Sequence, residues 1–200
     1  MSEPLRERGK RQRRERILES AREILRESDG GALTIDAVAH RADVSVQTIF
    51  NLIGTREVVW AALADSLIAE LELGSILQGG DPADEALAVV DALVGGLLQD
   101  APILNGLLSN WARSARVVDH DPARQLTDCF ERLHELDADG VPLPAHRLAE
   151  LLIASVIGVL HQWAAGMLDQ DDARLRAREC ALLHIYAAAP SRAAAHLPGR

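Results

Sequence analysis

Apolar positions along the chain fall into separate runs with a helical period, and capping or turn residues mark the breaks between them. Ile17, Leu18, Ala21, Ile24 and Leu25 recur at i, i+1, i+4, i+7 and i+8, one stripe of a helix over about 9–28. Asp29-Gly30-Gly31 ends it. Thr34 can cap a short helix whose inner face is Ile35, Val38, Ala39 and Ala42, and Ser45 can cap a second that runs through Val46, Ile49 and Phe50 towards Gly54. Thr55 then caps a longer helix over 55–78. Asp81-Pro82, Asp100-Ala101-Pro102 and Asp121-Pro122 each put proline at or near a first helical position, which predicts helices over 82–99, 102–118 and 122–138. Asp139-Gly140-Val141-Pro142-Leu143-Pro144 reads as a loop. Two further helices are predicted over 145–168 and 171–188, followed by a flexible tail from 190.

Composition sharpens this into a fold class. Only 3% of the 200 residues are aromatic while Ala, Leu, Arg and Glu abound, so an all-α protein of about nine helices is expected. With 48% apolar and 26% charged residues, a disordered or multi-span membrane chain is excluded. The longest apolar segment, Leu148 to Leu168, contains Glu150, His161, Gln162 and Trp163, and reads as a buried helix rather than a membrane span. Cys129 and Cys180 stand 51 residues apart in no metal or redox spacing, and charges fill the N-terminal stretch where a secretory signal needs an apolar run. A cytoplasmic protein, without membrane contact, cofactor or metal, is expected.

The formal net charge of −9 is unevenly divided. Residues 1–60 carry 11 Lys or Arg against 10 Asp or Glu, whereas residues 61–200 carry 10 against 20. Arg6, Arg8, Lys10, Arg11, Arg13, Arg14 and Arg16 crowd the first sixteen positions against Glu3, Glu7 and Glu15. A basic arm on an acidic body is drawn to phosphate backbones that repel the rest of the chain, so nucleic-acid contact is expected at this end. Taken alone, the same run also reads as a solvated charged segment.

Thr34 to Asn51 has the layout of a helix-turn-helix, in which a first helix crosses the DNA backbone and a second enters the major groove. The two helices must cross closely. Ala39 supplies the small residue at the crossing, and Val38, Val44 and Ile49 the apolar locks. On Thr34, Val38, Ala39, Ala42, Val44, Ser45, Thr48, Ile49 and Phe50, followed by Asn51-Leu52-Ile53-Gly54-Thr55-Arg56-Glu57, the chain resembles the TetR-type transcriptional regulators over about residues 14–60. Two positions depart from that pattern. Asp43 replaces the turn glycine, and Leu52 stands where a phosphate-contacting histidine is usual.

Side-chain chemistry distributes the expected DNA contacts. Gln47 can present its amide to adenine and Val46 can meet a thymine methyl. Ser45, Thr48, Phe50 and Asn51, with Thr34, Arg41 and Arg56 at neighbouring helix ends, are expected at phosphates, and Arg11, Arg13 and Arg14 towards an adjacent groove. The resemblance implies three parts. Residues 1–57 form a basic arm and DNA-binding domain, 58–189 a helical effector-binding and dimerisation domain joined through the helix at 55–78, and 190–200 the tail.

No motif carries over to the later helices, so only physical pattern remains. Leu148, Leu151, Leu152, Ser155, Val156, Val159 and Leu160, with Ala154 and Gly158 allowing close approach, make an apolar face suited to a second copy or to the protomer's own core. Asn105, Trp111, Arg113, Phe130, His134, His161 and Trp163 are the candidates for a ligand pocket, though side chains of these types at helical spacing more often belong to the core. There is no glycine-rich phosphate loop, GxSxG or HExxH, so an enzyme is not expected. The functional reading is a homodimeric repressor on a palindromic operator of double-stranded DNA, released when a small-molecule effector changes the spacing of its reading heads. Two alternatives stay open: a similar regulator that lacks an effector or activates, and a helical module that binds protein.

Overall fold

The computed structural model describes residues 5–31, 33–114, 119–137 and 139–193, with backbone alone at 5, 111–114 and 193. Among the described residues every regular element is a helix: α1 Leu5–Glu27, α2 Ile35–Arg41, α3 Val46–Leu52, α4 Arg56–Glu70, α5 Pro82–Leu98, α6 Ala101–Ser114, α7 Pro122–Leu136, α8 Ala145–Ala164, α9 Gln170–Ala188 and α10 Pro190–Ala193, with a 3-10 turn at Leu73–Ile76. The chain divides into two compact units. One takes the residues up to Leu67 with Asp100–Asp119, and the other takes Ile68–Gln99 with the residues from His120 onward.

The first unit is organised by the stripe on α1. Ile17, Ala21 and Leu25 are fully buried, with Val38 of α2, Ile49 of α3, Val59, Trp60 and Leu63 of α4, and Ile103 and Leu107 of α6 in one core. The turn after α1 is left-handed at Asp29 and Gly30, with the Gly30 amide donating to the Leu25 carbonyl at 2.8 Å. A Cβ on Gly30 would stand 2.8 Å from the Pro102 carbonyl oxygen, so the turn needs glycine both for its backbone angle and to let α6 approach. Arg26 of α1 fixes the same corner, its Nε donating to Asp100 at 2.7 Å.

In the second unit α7 packs on α8, α8 on α9, α9 on α5 and α5 back on α7, a closed set of four helices. The Asp-Pro starts behave as their chemistry requires: Asp81 and Asp121 accept from the amides of Ala83 and Ala123 at 2.8 and 2.9 Å. Glu85 is buried on α5. One of its oxygens accepts from the amides of Gln78 and Gly80 at 2.9 and 2.8 Å, and the other pairs with Arg132 of α7. The loop after α7 closes against the end of α9, where the Val141 amide donates to the Ala187 carbonyl at 2.7 Å. A Cβ on Gly140 would overlap the Ala188 carbonyl there, so glycine is needed for that approach.

Several expected boundaries shift. Helix α1 begins by Leu5, so the basic residues expected on an arm occupy helix turns. The helix expected over 55–78 ends at Glu70, because Glu72 turns left-handed at φ 46° and re-aims the chain into the 3-10 turn that buries Leu73. Helix α8 stops at Ala164, where Gly166 turns left-handed and the Met167 amide reaches back to the Gln162 carbonyl at 3.0 Å. The expected tail opens with α10, tied down through the Ser191 amide and hydroxyl, both donating to Asp137 at 2.9 and 2.5 Å. Expected helix ends at 115–118 and 138, and the tail from 194, lie outside the described residues. No single described helix is long and apolar enough to cross a membrane.

Candidate nucleic-acid interface

Thr34 and Ser45 cap the two short helices as their side chains predict. The Ala37 amide donates to Thr34 Oγ1 at 3.2 Å, and the Thr48 amide donates to Ser45 Oγ at 3.1 Å. Between the helices Asp43 adopts the left-handed turn at φ 51°, and the Val44 amide closes it on the Ala39 carbonyl at 3.0 Å. Val38, Ala39, Ala42 and Ile49 are buried beneath the pair. Arg56 Nε donates to the Leu33 carbonyl at 3.0 Å, which fastens the start of α4 to the entry of α2.

This packing turns a defined set of side chains outward. Gln47, Phe50 and Asn51 are exposed on α3, Val46 and Thr48 are half-buried, and Phe50 keeps 45% of its surface open to solvent. The Gln47 amide donates to the Asn51 carbonyl oxygen at 3.0 Å, one helical turn along. The hydroxyls of Ser45 and Thr48 lie 2.8 Å apart. An exposed amide pair beside an aromatic ring is chemically able to meet base edges and phosphates.

The basic residues are more engaged than their sequence positions suggest. Arg41 donates to both oxygens of Glu27 at 2.6 and 2.5 Å and lies 3.7 Å from Glu23. That hydrogen-bonded pair raises the Arg41 guanidinium and holds the Glu27 carboxyl below its ordinary value. On α1, Arg11 pairs with Glu15 at 3.6 Å, Arg13 donates to the Gly9 carbonyl at 3.1 Å, and Arg14 is exposed. Sequence reasoning missed the acidic partners of Arg41, because they lie on α1, across a turn from α2, where spacing within one helix gives no signal.

The residues expected to meet a second copy divide. Leu148, Leu152, Val156, Val159 and Leu160 are buried in their own unit and are committed to its core, whereas Leu151 is 46% exposed and Ser155 half-buried. The open face of α8 runs instead through Leu151, Ala154 and Gly158, and on α9 Leu175, Leu183 and Tyr186 are exposed. Those α9 positions were missed, though their spacing of eight and three residues was readable as one helix face.

The expected pocket residues also separate. Asn105 and the backbones at Trp111 and Arg113 belong to α6 in the first unit, the latter two side chains lying outside the described residues. In the second unit Phe130 is fully buried core, His134 is half-buried with Nε2 enclosed, and Trp163 is half-buried. His161 is exposed with Nδ1 against the Ile157 carbonyl at 2.9 Å. Burial pushes the Cys129 thiol up to about 11 and raises that of Cys180, the opposite of an activated nucleophile. No group of three or more His, Cys, Asp or Glu among the described residues is placed to hold a metal.

Two solved structures share this architecture. A TetR transcriptional regulator from Rhodococcus sp. RHA1 superposes with a TM-score of 0.65 at 23% identity, over 87% of this chain and 96% of its own. The chain has the TetR fold. A TetR-like transcriptional regulator from the same organism superposes with a TM-score of 0.54 at 17% identity, over 84% of this chain and 93% of its own. No protein-family model matches the chain, and no curated protein is significantly similar to it in sequence. Within the TetR fold seen here, α2 and α3 are the helix-turn-helix pair.

Proposed function

We propose that the protein is a sequence-specific DNA-binding transcriptional regulator that reads the major groove with α3. The observation that carries this reading is the capped α2–α3 pair itself. Its inner residues are locked into a core while Gln47, Phe50 and Asn51 are turned to solvent. Thr34, Ser45 and Thr48, with Arg41 and Arg56 at neighbouring helix ends and Arg11, Arg13 and Arg14 on α1, are the proposed backbone contacts, and Val46 a thymine-methyl contact. The likeness to two solved regulators supports the same reading through the fold.

The active form is proposed to be a homodimer in the cytoplasm on a palindromic operator. Leu151, Ala154 and Gly158 of α8, with Leu175, Leu183 and Tyr186 of α9, are the surface for the second copy, small residues on one helix leaving room for large ones on the other. The division at residues 57 and 58 between a reading part and an effector and dimerisation part is kept as a proposal. Repression relieved by a small molecule is the regulatory mode we favour: an effector that binds one conformation of the second unit better shifts the population away from the DNA-competent form.

Binding of a mixed-sequence duplex at several salt concentrations tests the reading. The logarithm of affinity should fall linearly with the logarithm of salt, at about 0.9 per phosphate contacted. A flat dependence would favour a helical module that binds protein.

A further inference from the structure

The stripe of α1 that organises the first unit changes chemistry at Ile17. From there onward it is buried, at Ile17, Ala21 and Leu25. Counted back from Ile17 in steps of three and four, the same face of the helix continues through Arg14, Lys10 and Arg6, all of them exposed. The helix therefore overhangs its core by about three turns, residues 6–16, and the side that faces the core further along is cationic here. Arg8 and Arg16 lie on the outer side, with Gln12 and Glu15. Because α1 packs on both α2 and α3, the overhang is continuous with the body that carries the helix-turn-helix.

Residues 6–16 hold seven Arg or Lys against Glu7 and Glu15, and no apolar side chain. A helix that lies on a bilayer needs an apolar face, and the centre of a protein–protein interface is depleted of charge. Neither partner fits this segment. A polyanion does: Arg6 to Arg14 span about 12 Å of helix, roughly the axial rise of three or four phosphates along one strand of duplex DNA. The face is also preformed. Lys10 pairs with Glu7 at 3.0 Å, Arg11 pairs with Glu15 at 3.6 Å, and Arg13 Nε donates to the Gly9 carbonyl at 3.1 Å. Contacts three or four residues apart support a helix here without buried side chains.

We propose that residues 6–16 of α1 are a second DNA contact, a helical overhang whose core-side face, Arg6, Lys10 and Arg14, grips the phosphates that flank the base pairs met by α3. This rests on the DNA-reading proposal above. It adds Arg6 and Lys10 to the α1 contacts and fixes which side of the helix makes them, so the duplex contacted extends beyond the bases read.

Charge-matched variants of the full chain test it. Lys10→Gln with Arg14→Gln removes two cations from the core-side face, and Arg8→Gln with Arg16→Gln removes two from the outer side. Glutamine keeps the helix propensity, and circular dichroism checks folding. Wild type and both variants are titrated with a mixed-sequence duplex at several salt concentrations. The K10Q/R14Q variant should bind about tenfold or more weakly at about 0.1 M salt, with the slope of log affinity against log salt lower by about two. The R8Q/R16Q variant should change affinity by less than about threefold and the slope by less than about one half. On the site selected from a random library, hydroxyl-radical protection should reach about three base pairs further on each side for wild type and R8Q/R16Q than for K10Q/R14Q, with one motif selected by all three. Equal losses in the two variants identify a general attraction of the basic end and overturn the proposal. Wild-type affinity and slope, or wild-type protection boundaries, in K10Q/R14Q also overturn it. A wild-type protein whose binding is indifferent to salt overturns the DNA reading itself, and this inference with it.

Discussion

Arg41, the last residue of α2, grips Glu27, the last residue of α1, through two hydrogen bonds of 2.6 and 2.5 Å in a fork-to-fork pair. The guanidinium expected to meet a phosphate is therefore already engaged by a carboxylate of its own chain. Glu27→Gln with Glu23→Gln removes both carboxylates that face Arg41, at 2.5 and 3.7 Å, and binding to DNA of any sequence should strengthen, with the salt slope rising by about one phosphate. Unchanged affinity and slope would assign Arg41 to holding α2 on α1.

The pH dependence of that pair follows from its sign. Arg41 depresses the Glu27 carboxyl, so the attraction is fully present above the ordinary value of 4.5 and is lost only as pH falls through the lowered value. DNA affinity between pH 6 and 8 should therefore not change on account of Glu27. Titration of the Glu27 carboxyl by NMR should place its midpoint below that of Glu27 in the R41A variant.

Asp43 carries the turn of the helix-turn-helix in a left-handed conformation. Asp43→Gly removes that strain and should leave stability equal or higher by up to about 1 kcal/mol. Asp43→Val places a β-branched residue there and should cost about 1–2 kcal/mol. Urea unfolding midpoints of the two variants decide it, and a valine variant as stable as wild type would show that the turn adopts another conformation.

Burial alone would raise the Glu85 carboxyl, but the Gly80 amide, the Arg132 guanidinium and the Gln78 amide outweigh it and hold it below its ordinary value. Glu85→Gln leaves Arg132 without its charged partner and should destabilise the second unit by about 3 kcal/mol at neutral pH. Because the carboxyl is depressed, the wild-type advantage is present above about 4.5 and shrinks as pH falls through the lowered value. A pH-independent difference would contradict the ionised assignment.

The open face of α8 separates association from folding. Leu151→Asp changes an exposed position and should yield a folded monomer by light scattering. Leu152→Asp, at a fully buried neighbour, should unfold the second unit instead. A dimeric Leu151→Asp variant would move the interface elsewhere.

What was legible in the sequence followed chemistry with a short range. Thr34, Ser45, Asp81 and Asp121 announce their helices because an N-cap needs only a side-chain oxygen and an amide two or three residues on. The exposed face of α3 was legible for the same reason, since Ile49 is the buried residue and Gln47 and Asn51 lie on the side away from it. Long-range choices were not. Leu148 and Leu151 are equally apolar, and only the helices packed on α8 decide that the first is core and the second exposed. The partner of Arg41 lies fourteen residues away across a turn, a contact that helical periodicity does not encode. Glu72 broke an otherwise continuous helical pattern because tertiary packing buries Leu73.

The most direct measurement is selection of bound sequences from a random duplex library by the wild-type protein and by Gln47→Ala. The account predicts a palindromic motif with half-sites about one helical turn apart, and loss of preference at one symmetric pair of positions in the variant, worth roughly 1–3 kcal/mol. A folded protein that enriches no motif, or a variant that selects the wild-type motif unchanged, would contradict it.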